Sequence, residues 1–228
     1  MSHPDQANTL SEQALAWSGL PVVTIRPTMF LESFLQLAAP SVRNRDRIEL
    51  PFGRGKTSPV AAADVAQVVA AVLADPVPHL GLIYELTGPQ SQDLDGVARE
   101  FSDALNREVT YSDISPEEWE QKLKRQGMPE HLTGHLLAMG ELHRAGRYDR
   151  RADGVQRVTG RPAMSVREFV SLHAGKFGGR RSRKAHRATR LARFEKAVPP
   201  VDSIGNVTRK WRTCFGADEG WEAWLPRG

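Results

Sequence analysis

Val22-Val23-Thr24-Ile25 is a run of β-branched side chains cut off by Arg26-Pro27. Such a run has no polar face, so it suits a strand covered on both sides, as in a parallel sheet. Proline has no N–H to give to a ladder, so the chain is expected to leave the sheet at Pro27. Parallel strands need helical crossovers, and the flanking segments have that character. Thr9 to Ser18 carries an apolar helical face of Leu10, Ala14, Leu15 and Trp17, closed by Ser18-Gly19. A second apolar helix is predicted at Phe30–Ala39, ended by Pro40.

Residues 41–60 are polar and glycine-bearing and read as a loop with room for one short strand. A helix from Val65 to Ala74 follows, with Asp64 as N-cap or first-turn acid, and Pro76 and Pro78 end it. Leu82 to Thr87 reads as a strand between Gly81 and Gly88-Pro89, then a helix over Leu94–Leu105, then a strand at Val109-Thr110-Tyr111. Ser115-Pro116-Glu117-Glu118 is a helix start: serine cap, proline at the first position, acids in the first turn. That helix runs to Gln126, and others are predicted over Glu130–Ala145 and Ser165–Leu172. Strands alternating with helices place the chain in the α/β class.

Composition removes several alternatives. The 228 residues suit one domain with an appendage. A single cysteine, Cys214, excludes a disulfide framework and a cysteine-based zinc site. No stretch approaches the roughly 20 apolar residues of a membrane span. Met1-Ser2-His3-Pro4-Asp5-Gln6 has neither the basic start nor the apolar run of a secretory signal, so a cytoplasmic setting is expected. The chain's +4 charge is unevenly placed: residues 180–228 hold 12 Lys/Arg and 5 Asp/Glu, leaving a mildly acidic balance before them. Residues 178–228 therefore read as a basic, mostly disordered tail, with non-specific phosphate contact as its one nucleic-acid role.

A set of short motifs, in order, carries a family resemblance. Ser11-Glu12-Gln13-Ala14-Leu15-Ala16-Trp17-Ser18-Gly19-Leu20 is similar to an "E-x-x-L-x-x-S-G-L" helix, and Val23 to Phe34 to a "T-x-L-R-P-x-x-F-x-E-N" strand and turn. Asp64-Val65-Ala66 resembles a "D-V/I-A" helix start, and Tyr84-Glu85-Leu86-Thr87-Gly88-Pro89 a "Y-x-L-T-G-P" strand. Together they resemble the C-terminal part of the NmrA-like family, a branch of the atypical short-chain dehydrogenase/reductases. The resemblance implies an incomplete doubly wound (Rossmann-like) parallel sheet over residues 1–177, comprising the substrate-side part of an NAD(P)-binding domain.

In that family the nucleotide lies on a glycine-rich turn after the first strand. No G-x-G-x-x-G or G-x-x-G-x-x-G occurs here, and only 21 residues precede Val22. The reading is of a chain that begins inside the domain, through truncation or a miscalled start, so independent NAD(P) binding is doubtful. A read-through or frameshifted terminus would account for a tail unlike the family's end. Gly53-Arg54-Gly55-Lys56-Thr57 has the letters of a phosphate loop but lacks the upstream glycine, and it reads as a turn.

The resemblance places the nicotinamide beside Pro27, Thr28, Met29 and Phe30, and substrate beside Phe30, Ser33 and Phe34. It implies NAD(P)H-linked reduction of a small electrophile of quinone or azo type. The alternatives are a non-enzymatic NAD(P) sensor with a regulatory protein partner, and an inactive remnant. No catalytic residue is assigned: Asn8-Thr9-Leu10-Ser11-Glu12 lies where wider-group members have Tyr-x-x-x-Lys, and neither residue is there. Ser11 and Glu12 read as a helix-start pair. His131 and His135 share a helix face but lack a metalloprotease glutamate, and with Glu141/His143 they read as solvent-facing, so no metal is expected. Gly160-Arg161-Pro162 resembles the family's closing element, with Arg161 expected near an acid or a helix C-terminus.

Overall fold

A computed structural model describes residues 4–178. The expected disordered basic tail lies outside the described residues, apart from Gly178. The described chain holds eight α-helices and four short strands, helices and strands alternating as far as the fourth strand and four helices following it. They are α1 (Pro4–Trp17), β1 (Thr24–Pro27), α2 (Leu31–Arg45), β2 (Arg47–Leu50), α3 (Ala62–Ala74) and β3 (Ile83–Leu86). Then come α4 (Leu94–Leu105), β4 (Thr110–Asp113), α5 (Pro116–Arg125), α6 (Glu130–Arg144), α7 (Gly154–Thr159) and α8 (Val166–Leu172).

The strands form two parallel pairs rather than one sheet. β1 pairs with β3 in the register Thr24↔Ile83 to Pro27↔Leu86, and β2 pairs with β4 from Arg47↔Thr110 to Leu50↔Asp113. The strand at 109–111 thus belongs to a second layer, with a partner drawn from the stretch that sequence reads mostly as loop. Pro27 closes β1 instead of lying beyond it. The last position of a strand tolerates proline because no further ladder bond is asked of its nitrogen.

Sequence chemistry explains three helix starts. The Asp93 side chain accepts from Gly96 N–H at 2.9 Å to start α4, and Ser115 accepts from Glu118 N–H at 3.1 Å to start α5. Ser165 and Glu168 form a reciprocal capping box on α8. Several boundaries differ from expectation: α1 starts at Pro4 and not Thr9, β4 runs to Asp113, and α7 lies where no element was expected. Helix α2 continues through Pro40 to Arg45, because Pro40 is on its exposed side while Ala38, Ser41 and Val42 are buried beneath it. Asp64 takes the second of its two expected places, as a first-turn acid of α3; the acceptor at the helix start is Glu32, whose carboxylate takes the Ala62 N–H at 3.0 Å.

Two apolar clusters correspond to the two strand pairs. The larger joins α2, β2, α4, β4 and α8, with Phe34 and Phe101 edge to face at 6.2 Å and Phe101 against Phe177 at 5.1 Å. The smaller lies between β1–β3, α3 and α7 around Val60, Val68, Tyr84 and Leu86. The chain is stitched between them at residues 57–60: Leu31 N–H donates to the Val60 carbonyl, and Val60 N–H to Met29. The apolar face expected of α1 is not part of either core, since Leu10 is 65% and Trp17 81% exposed.

Candidate functional site

The carboxyl ends of parallel strands are where open α/β sheets bind ligands, because the chain there must leave the sheet and opens a crevice. In this protein that edge is built by Thr28, Ser58 and Thr87. Thr28 N–H donates to the Leu86 carbonyl at 2.9 Å, and its hydroxyl donates to the Ser58 carbonyl at 2.6 Å. Gly88 N–H also reaches the Ser58 carbonyl, at 3.0 Å. A Cβ on Gly88 would stand 2.4 Å from the Pro59 carbonyl oxygen, so this backbone approach requires glycine. The Ser58 hydroxyl donates to the Arg150 carbonyl at 2.6 Å, and the Thr87 hydroxyl accepts Ala152 N–H at 3.1 Å. Residues 150–152 thus form a strap tied across the strand ends.

The predicted site residues divide by burial. Pro27 and Ser33 are exposed, Thr28 and Phe30 are half-buried, and Met29 and Phe34 are buried. Phe34 is 1% exposed and fully engaged by the core. Phe30 packs against the smaller cluster from one side. The open surface left by this turn is therefore Pro27, Thr28, the free edge of Phe30, and Ser33.

Arg26 lies beside that surface. It forms a two-pronged ion pair with Glu12, with Nε 3.0 Å from one carboxylate oxygen and 3.1 Å from the other, and its Nη2 closer still. The guanidinium holds the Glu12 carboxyl below its usual range, chiefly through these hydrogen bonds. Glu12 stands well inside α1, so the helix-start reading of Ser11 and Glu12 is corrected: Glu12 fastens α1 to β1.

His143 is a second correction. His131 and His135 are exposed, but His143 is wholly buried. Its ring stacks on Phe52 at 4.0 Å and on Tyr148 at 4.2 Å. Nδ1 is 3.0 Å from the Met139 carbonyl and Nε2 is 3.3 Å from Thr57 Oγ1. A carbonyl only accepts, so these partners fix the neutral tautomer with hydrogen on Nδ1 and the Thr57 hydroxyl donating to Nε2. Burial depresses its pKa from 6.5 to about 4. Its pocket is built by Phe52 and Thr57, far away in sequence, so no local signal marks this residue. Arg161, expected near an acid or a helix C-terminus, lies just past the C-terminus of α7, and its guanidinium donates to the Gln67 side-chain amide.

The turns at the strand ends do not fit a dinucleotide's pyrophosphate, which needs several free backbone N–H groups converging from one turn. Thr28 and Gly88 use their N–H groups on Leu86 and Ser58. Gly53 N–H donates to Asp113 and Gly55 N–H to Phe52. The described residues supply a wall at the strand ends but no such cradle. They also contain no group of three histidine, cysteine or acidic side chains placed to hold a metal, and no helix long and apolar enough to cross a membrane.

No family model matches the chain. An NAD(P)H azoreductase of Xenophilus azovorans is 35% identical over 171 residues, which are 74% of this chain and 58% of that protein. A solved NADPH complex of an Escherichia coli quinone oxidoreductase superposes with a TM-score of 0.62 at 26% identity, covering 72% of this chain and 57% of the other. The solved NADP complex of the negative transcriptional regulator NmrA shares the fold at 16% identity, with a TM-score of 0.52, covering 79% and 56%. The chain spans about half the length of the curated relatives it matches. Parallel strand pairs under helices and these neighbours define a Rossmann-like α/β protein. Within that class the chain is similar to these NAD(P)H-linked proteins, and its motifs resemble the NmrA-like branch of the atypical short-chain dehydrogenase/reductases.

Proposed function

We propose that this chain forms the substrate-side part of an NAD(P)H-dependent oxidoreductase for small electrophiles of quinone or azo type. The observation that carries the reading is the surface of Pro27, Thr28, Phe30 and Ser33 at the carboxyl end of β1. It lies where a doubly wound sheet receives ligand, in a chain whose relatives bear those activities in their names. Met29 and Phe34 support that surface from beneath. Residues 1–177 act as the domain part and residues 178–228, the basic stretch after it, as an appendage. With a single cysteine at position 214, the chain suits a reducing, cytoplasmic setting. Because the strand-end turns do not fit a pyrophosphate, nucleotide binding requires a glycine-rich strand–turn–helix supplied from outside the described residues.

The test is complementation. A glycine-rich strand–turn–helix segment from the Xenophilus azovorans azoreductase is fused ahead of the whole chain, so that α1 and its Glu12–Arg26 pair are kept. NADPH oxidation is then followed with a quinone and with an azo dye. Acceptor-dependent turnover, reduced by Ser33→Trp, is expected. A folded fusion that binds NADPH but passes no electrons to either acceptor would overturn the enzymatic reading in favour of a nucleotide-sensing regulator.

A further inference from the structure

A cleft of about 390 Å3 opens beside the end of β3, between Thr87-Gly88-Pro89 and the segment that runs from the strap into α7. Its size is that of a site for a small organic molecule. Its walls are fixed. The Thr87 hydroxyl holds Ala152 through the backbone N–H, and Gly154 packs so closely on β3 that a Cβ there would stand 2.3 Å from the Glu85 carbonyl oxygen. The lining combines an apolar part, Val155, Pro162 and Ala163, with two opposite charges, Arg151 and Asp153. Both charged side chains are exposed, and among the described residues neither is joined in an ion pair.

We propose that this cleft binds a small zwitterion with an apolar body, such as an aliphatic or aromatic α-amino acid. A guanidinium presents a planar fork of donors matched to a carboxylate, and the Asp153 carboxylate accepts from an ammonium. A ligand carrying only an anion would meet Asp153 as a like charge, and one carrying only a cation would meet Arg151. Opposed charges in one cleft therefore select the molecule that bears both signs and reject its singly charged analogues. The apolar body lies on Val155, Pro162 and Ala163, where water is displaced from carbon surface. The inference is independent of the oxidoreductase reading, since it uses no cofactor and no electron transfer.

Isothermal titration of the full 228-residue chain with phenylalanine, leucine, hydrocinnamate and phenethylamine tests it. Saturable binding of at least one of the two amino acids is expected, with hydrocinnamate and phenethylamine weaker by about tenfold or more, as losing one charge-assisted hydrogen-bonded contact implies. Arg151→Gln should weaken the amino acid by about tenfold or more. Asp153→Asn should narrow the gap between phenylalanine and hydrocinnamate. Both side chains are on the surface, and far-UV circular dichroism checks that each variant is folded. Absence of saturable binding by both amino acids, equal affinity for the singly charged analogues, or an Arg151→Gln variant that binds as the parent does would overturn the proposal.

Discussion

Acidification should destabilise this protein through His143 in particular. The folded ring is neutral and buried between Phe52 and Tyr148, with a pKa near 4 against 6.5 for a free histidine. Above pH 6.5 neither state binds the proton and the full stability is present. Between pH 6.5 and 4 the unfolded chain takes up a proton that the folded chain refuses, so stability falls as pH falls. At 1.36 kcal/mol per pKa unit, the loss by pH 4 is about 3 kcal/mol, and below that it levels off. Carboxylates titrate in the same range, so the effect is isolated by difference. Urea unfolding is followed by circular dichroism at several pH values for the parent and for His143→Phe. Phenylalanine keeps the aromatic stack but cannot take up a proton. The variant carries a constant penalty for leaving the Thr57 hydroxyl without its acceptor. The parent's stability relative to the variant should then decline by about 3 kcal/mol from pH 7 to pH 4. Two curves that run parallel across that interval would refute the reasoning.

Three further perturbations test the packing. Gly55→Ala would place a methyl group 1.7 Å from the His143 carbonyl oxygen, a backbone atom that cannot rotate away. A loss of about 2 kcal/mol or more in urea unfolding is expected, in the range of overpacked cores. Asp64→Ala removes the acceptor for Met164 N–H, now held at 2.7 Å in a buried position, and should cost about 1–3 kcal/mol. Asp64→Asn, which keeps an acceptor oxygen there, should cost less. Phe34→Ala empties the space beside Phe101 and should lower stability by about 3–5 kcal/mol by the same assay, which would show that this side chain is a core residue.

Where local chemistry sets the structure, the sequence could be read directly. Ser115-Pro116 and Ser165 announced their helices because capping involves residues within four positions of each other. The β-branched run before Pro27 and the Tyr84–Leu86 strand pair in parallel as expected, in a register that ends Pro27 against Leu86. The expected cover on both faces is absent, since β1 is only half-buried and Ile83 is exposed. What could not be read depends on distant partners. Pro40 looks like a stop until Ala38 and Val42 are seen to be held by the core. Glu12 looks like a helix-start acid until Arg26 is brought to it from 14 residues away. His143 looks like a solvent-facing histidine because its helix has little apolar periodicity, and its pocket is assembled from Phe52, Thr57 and Tyr148. Resemblance points to Pro27–Phe34 as a candidate site, but sequence could not separate the exposed side chains of that segment from Met29 and Phe34, which are buried beneath it. The strap over the strand ends was missed, since it has no regular structure and is held by two hydroxyls, Ser58 and Thr87.

Titration of the 228-residue chain with NADPH in a calorimeter is the most direct test of its proposed division of labour. With the N–H groups of the strand-end turns committed to Leu86, Ser58, Phe52 and Asp113, the chain alone should give no saturable heat. Tight, stoichiometric uptake of NADPH would contradict the account, because it would require a pyrophosphate site that these turns do not provide.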